Sequence, residues 1–76
     1  MVTNMAKAKK GHSYVIREVN GEPSFLSRLF SQGLTPGTKI DIKQNGSGLP
    51  VLFQAREATL ALTANEAKDI SVEAIR

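Results

Sequence analysis

The stretch "LFSQGLTPGTKI", Leu29 to Ile40, limits the fold of this chain more than any other, because it both stops a helix and starts a strand. The run "FLSRLFSQ" before it is helical in character, and Ser24, just after Pro23, stands where an N-cap hydroxyl accepts from an orphan amide of the first turn. With Gln32 as C-cap, Gly33 falls at the position that needs a left-handed backbone. Leu34 then packs back onto Leu29, and the helix ends after about two turns. Pro36 keeps Thr35 out of the helical region, and Pro36-Gly37 suits the two central positions of a type II turn. The chain therefore reverses into "TKIDIK", where Ile40 and Ile42 share one face and Lys39, Asp41 and Lys43 point to water.

Around this reversal the remaining segments read as short strands. "SYVIREV", Ser13 to Val19, is rich in β-branched and aromatic residues with both faces partly apolar, which suits a strongly curved sheet. "NGEP" ends it. After the flexible turn Gln44 to Gly48, "VLFQA" places Val51, Phe53 and Ala55 on one face. Only Arg56 and Glu57 separate it from "ATLAL", so the two strands predict a tight hairpin. Thr63 and Glu66 match a capping box and predict a helical turn, and "DISVEAI" closes the chain with Ile70 and Val72 inward.

The expected fold class is mainly β: a small SH3-like barrel of about five strands, with one short helix after the first strand and one helical turn before the last. An OB-fold is the nearest alternative, but it wants longer strands and more residues. At 76 residues the chain has room for one domain, and a single core of this size yields only about 3–5 kcal/mol. Residues 1–12, with Lys7, Lys9 and Lys10 carrying much of the net charge of +3, are expected to be a flexible basic N-terminal tail, and residues 13–76 the folded domain.

Several function classes are unsupported. The chain has no cysteine and one histidine, His12, so it lacks the side chains of a thiolate metal site, a Cys/His pair or a disulfide framework. No metal and no cofactor are expected. "GSGLP" lacks the lysine and following helix of a phosphate-binding loop, no nucleophile stands beside a base, and no enzyme activity is expected. No run approaches the roughly 18 apolar residues of a membrane-spanning helix, so the expectation is a soluble, cytoplasmic protein.

The order of parts resembles the ferrous iron transport protein A (FeoA) family. The residues that carry the resemblance are Arg28, Leu29, Gly33, Leu34, Pro36, Gly37 and Thr38, then Ile40 and Ile42, Gly48 and Pro50, and finally Ala61, Leu62, Glu66, Ala67, Ile70 and Val72. They cover the chain from about Ser13 to Ile75. The resemblance implies a small SH3-like accessory protein of bacterial ferrous iron uptake. Its implied partner is the membrane transporter FeoB, through the cytosolic G-protein part, with other small Feo-system proteins as further partners. It also implies peripheral recruitment to the inner membrane through that partner, support of assembly or GTPase-linked activity, and no catalysis by this chain. Departures from the family pattern fall at Gln32, Leu49, Glu57 and Thr63; the missing glycine at 57 puts a type I′ hairpin turn in doubt. The last domain of iron-dependent repressors has the same architecture, but that likeness is one of fold and carries no function.

Partner-binding candidates are Leu26, Phe30, Arg28 and Leu49. With each helical residue advancing roughly 100°, Leu29 lies about 40° from Phe25, Leu26 about 100° and Phe30 about 140°. One reading buries all four under a wide apolar stripe. The other centres the core on Phe25 and Leu29 and leaves Leu26 and Phe30 at the edge; the resemblance favours it, because the family often has a basic residue at the position of Leu26. Phe30 is then the more core-like of the pair. Arg17, Arg28 and Arg56 suit surface ion pairs better than an arginine-finger role, and Tyr14 suits ring packing with its phenol at the rim. The competing function is a nucleic-acid- or ribosome-associated barrel that uses the lysines of residues 1–10, although no nucleic acid is expected as partner under the leading reading.

Overall fold

The computed structural model describes residues 2–75. Strands β1 (Val2–Asn4), β2 (Ser13–Val19), β3 (Lys39–Gln44), β4 (Val51–Ala55), β5 (Ala58–Leu62) and β6 (Ile70–Ala74) form one antiparallel sheet in the order β1-β6-β2-β3-β4-β5. Helix α1 (Pro23–Ser31) joins β2 to β3, and α2 (Ala64–Ala67) joins β5 to β6. The class is mainly β, as expected, with six strands among the described residues where about five were expected. The sheet is curled but not closed by pairing: β1 and β5 are its edges, and α2 bridges from β5 to a 3₁₀ turn at Met5–Lys7 that follows β1.

The helix stop forms as its residues require. Leu34 N–H donates to the Leu29 carbonyl at 3.0 Å and Gly33 N–H to the Phe30 carbonyl at 3.0 Å, the paired bonds of a Schellman ending. Gly33 has φ +82°, and Leu29 and Leu34 are both fully buried. Thr38 N–H then bonds the Thr35 carbonyl at 3.1 Å across Pro36 and Gly37, and Gly37 at φ +94° supplies the left-handed second position. Thr38 also donates its buried hydroxyl to the Gly33 carbonyl at 3.1 Å, tying the turn back to the helix end. At the other end of α1 the N-cap is Glu22 rather than Ser24. Proline suits the first helical position, since its φ is preset and the amide it lacks would go unpaired there, so the helix begins at Pro23.

Strand alternation delivers the core: Tyr14 and Ile16, Ile40 and Ile42, Val51, Phe53 and Ala55, Leu62, and Ile70 and Val72 all lie inside. The β4–β5 hairpin has a two-residue loop, Arg56-Glu57, in which Arg56 alone takes a positive φ, 57°. That sign pattern excludes a type I′ turn, which needs both.

The segment expected to be a flexible tail differs most. Val2 to Asn4 pairs with Glu73 to Ser71 of β6, and Met5 and Ala8 belong to the core, Met5 with 0% exposure. The apolar cluster outweighs the three neighbouring lysines, which sit on the outside of the same segment. The folded unit therefore includes residues 2–12, ahead of the boundary expected at residue 13.

Candidate functional site

Helix α1 grades its residues by depth. Leu29 is fully buried, Phe25 and Leu26 are both partly buried, with Phe25 packed against the core, and Phe30 is 45% exposed. The chain adopts neither arrangement outright: the core centres on Leu29, Phe25 and Leu26 flank it, Gln32 is exposed, and Phe30, expected to be the more core-like of the outer pair, is the more exposed. The reason is geometric: the Schellman bonds fix Leu29 inward, and Phe30, one residue on, is turned by about 100° toward solvent.

Arg28 lies between these two apolar side chains in sequence and is held in place. Its Nη2 donates to Glu66 Oε2 at 2.6 Å, and its guanidinium carbon stands 5.4 Å from the centre of the Phe25 ring, within cation–π range. Glu66 in turn accepts from the Thr63 amide at 3.0 Å while its own amide donates to Thr63 Oγ1 at 3.2 Å, completing the predicted capping box. The Arg28 hydrogen bond, followed by the one from the Thr63 backbone, holds the Glu66 carboxyl below the usual glutamate range. Helix α1 is thereby clamped to α2 through Arg28, about 160° around the helix from Leu26 and Phe30, which share its other side.

Leu49 sits elsewhere. It is 51% exposed in the turn between β3 and β4 and lines a surface groove in which no α1 residue takes part. The four candidates thus divide into Leu26 and Phe30 on one side of α1, Arg28 on the opposite side against α2, and a separate Leu49. Of the other arginines, Arg17 pairs with Glu73 at 2.6 Å, and the stem of Arg56 approaches the backbone of Gly33 at the end of α1. Tyr14 buries its ring and accepts from the Lys9 amide at 2.9 Å. Sequence reasoning missed that Lys7, Lys9 and Lys10 form a wall of the groove beside Leu49. No local signal marked it: Met5–Lys7 is a 3₁₀ turn, with Met5 and Ala8 buried, and the lysines meet the 45–50 turn because Asn45 reaches Ala6 and Ala8. Among the described residues no group of three or more His, Cys, Asp or Glu side chains could hold a metal ion, and no helix is long and apolar enough to cross a membrane.

Comparison with known proteins places this geometry. A family model described as "FeoA domain" matches residues 3–74. A protein of Methanocaldococcus jannaschii described as "Putative Fe(2+) transport protein A" is 28% identical over 69 residues, 91% of this chain and 83% of that one. A crystal structure of an iron uptake regulatory protein, FeoA, superposes with a TM-score of 0.91 at 21% identity and covers 99% of this chain and 100% of that one. The zinc complex of FeoA from Stenotrophomonas maltophilia, described as a procaryotic SH3 domain protein, superposes at 0.78 with 22% identity, over 93% of this chain and 89% of its own. The two solved structures establish the SH3-like fold; the match over residues 3–74 establishes the family.

Proposed function

Because this chain belongs to the FeoA domain family, we propose that it is an accessory protein of ferrous iron transport that docks on the membrane transporter FeoB and supports its assembly or GTPase-linked activity. The family match carries the iron-transport part of this reading, and the exposed face of α1 supplies the contact. An aromatic ring left 45% exposed one helical turn from a partly buried leucine forms an apolar edge that a partner can cover, while Arg28, on the opposite side of α1, holds the helix to α2. Aromatic side chains dominate protein–protein binding energy where they sit at the centre of an interface. The chain acts by contact on the cytoplasmic side and performs no chemistry of its own.

The test is calorimetric titration of the purified chain into the isolated G-protein domain of the cognate FeoB. Phe30→Arg is expected to keep the parent melting temperature, because the ring is half outside, and to weaken binding at least tenfold, the equivalent of burying one such side chain at about 1.5–3 kcal/mol. Leu26→Arg is expected to act in the same direction. Undiminished binding by both variants would remove α1 as the contact, and no binding by the parent chain would remove the docking itself.

A further inference from the structure

A second surface, a concave one, lies away from α1. It is a groove of about 1020 Å³ between residues 6–10 on one side and the 45–50 turn on the other, with Thr63 and Ala64 at one end. Both walls are built. The Asn45 amide donates to the Ala6 carbonyl at 3.1 Å and the Ala8 carbonyl at 2.6 Å, which fastens the turn to the N-terminal segment. The N-terminal wall is further held by the Lys9 amide on Tyr14 Oη and by the Gly11 amide on the Ile42 carbonyl at 2.8 Å. On its far side Leu49 folds over Gly46, with Cδ1 close to where a β-carbon would stand, and remains half in solvent.

The chemistry of this groove is one-sided. Lys7, Lys9 and Lys10 line it, no aspartate or glutamate does, and among the described residues none of the three lysines forms an ion pair. Like charges gathered in a concave, partly apolar site raise the local positive potential and draw in a ligand of opposite sign. Its apolar content is aliphatic: Leu49, Pro50 and the alanines, with no aromatic ring or arginine on which a nucleic-acid base could stack. We propose that this groove binds an extended acidic segment of a protein partner, with an aliphatic side chain of that segment covering Leu49 and carboxylates facing Lys7, Lys9 and Lys10. The proposal goes beyond docking through α1 and does not depend on it.

The experiment follows the amide NMR shifts of the full chain while a fluorescein-labelled peptide of repeated Asp-Glu-Leu triplets is added, with anisotropy giving the affinity. Single-stranded oligothymidylate is the comparison probe. The expected result is saturable shifts confined to residues 6–10, 45–50 and the Thr63 region, with affinity falling as salt rises. Reversing charge at Lys7, Lys9 and Lys10 together, and separately Leu49→Ala, are each expected to weaken the peptide at least tenfold; Phe30→Arg leaves it unchanged. These side chains lie outside the core, and an unchanged circular dichroism spectrum verifies the fold. The proposal is overturned if oligothymidylate binds more tightly than the peptide, if the shifts map to another face, if the lysine variant binds as well as the parent, or if no shift occurs up to about 1 mM peptide.

Discussion

Met5→Ala tests whether the N-terminal segment is part of the fold. Met5 has no solvent exposure and packs in the same cluster as Phe53, Ile70 and Val72, directly after a strand that pairs with β6. Cutting its side chain back to Cβ removes the transfer energy of the lost atoms and leaves a void that the neighbours fill only in part, at a cost of about 2–5 kcal/mol. A single core of this size yields roughly 3–5 kcal/mol, so the change consumes about 40% of the stability or more. At about 4–8 °C per kcal/mol for a domain of this length, the melting temperature should fall by about 10 °C or more. Thermal and urea unfolding followed by circular dichroism measure this. Val2→Ala, on the same segment but 58% exposed, should stay within about 0.5 kcal/mol of the parent. If Met5→Ala proves too unstable to purify, Met5→Leu, which conserves volume, should fold at a cost below about 1.5 kcal/mol. A melting temperature for Met5→Ala within about 2 °C of the parent would refute the reasoning and return the segment to solvent.

Two further outcomes follow from local geometry. Gly33→Ala places a β-carbon at φ +82° and 3.0 Å from Arg56 Nε; the left-handed penalty alone predicts a loss of about 1–2 kcal/mol in urea unfolding, and Arg56→Ala in the same chain should recover only the steric part. Full recovery in the double variant would mean that the backbone was never the constraint. Glu66→Gln loses the Arg28 ion pair and weakens the capping box, so it should be less stable at neutral pH. Because the folded-state carboxyl is held below its ordinary range, the wild-type advantage is complete above the unfolded glutamate value of about 4.3 and fades as pH falls through the lowered folded one. A stability gap between the two chains that stays constant from neutral pH into strong acid would contradict that assignment.

Legibility in the sequence followed the range of the interactions. The Schellman ending at Gly33, the turn at Pro36-Gly37, the capping box at Thr63 and Glu66, and the inward isoleucines of β3 could all be deduced from neighbours a few residues apart. The order and spacing of these same local devices also carried the family resemblance. The depths of the α1 side chains were legible only as two alternatives: periodicity gave the angles between Phe25, Leu26, Leu29 and Phe30 but not the direction of the core.

The sequence alone determined where the chain must stop, turn and alternate, because glycine at positive φ, proline without an amide and a hydroxyl three residues before a glutamate act through bonds within one or two turns. Tertiary structure alone decided that Val2 to Asn4 is an edge strand, that Met5 is core, that Phe30 faces water and that three lysines share a groove with Leu49. Those outcomes depend on β6 returning to pair with β1 across nearly the whole chain, and on Asn45 reaching Ala6 and Ala8. Long-range pairing of that kind is set by the collective burial of the core and leaves little trace in local sequence.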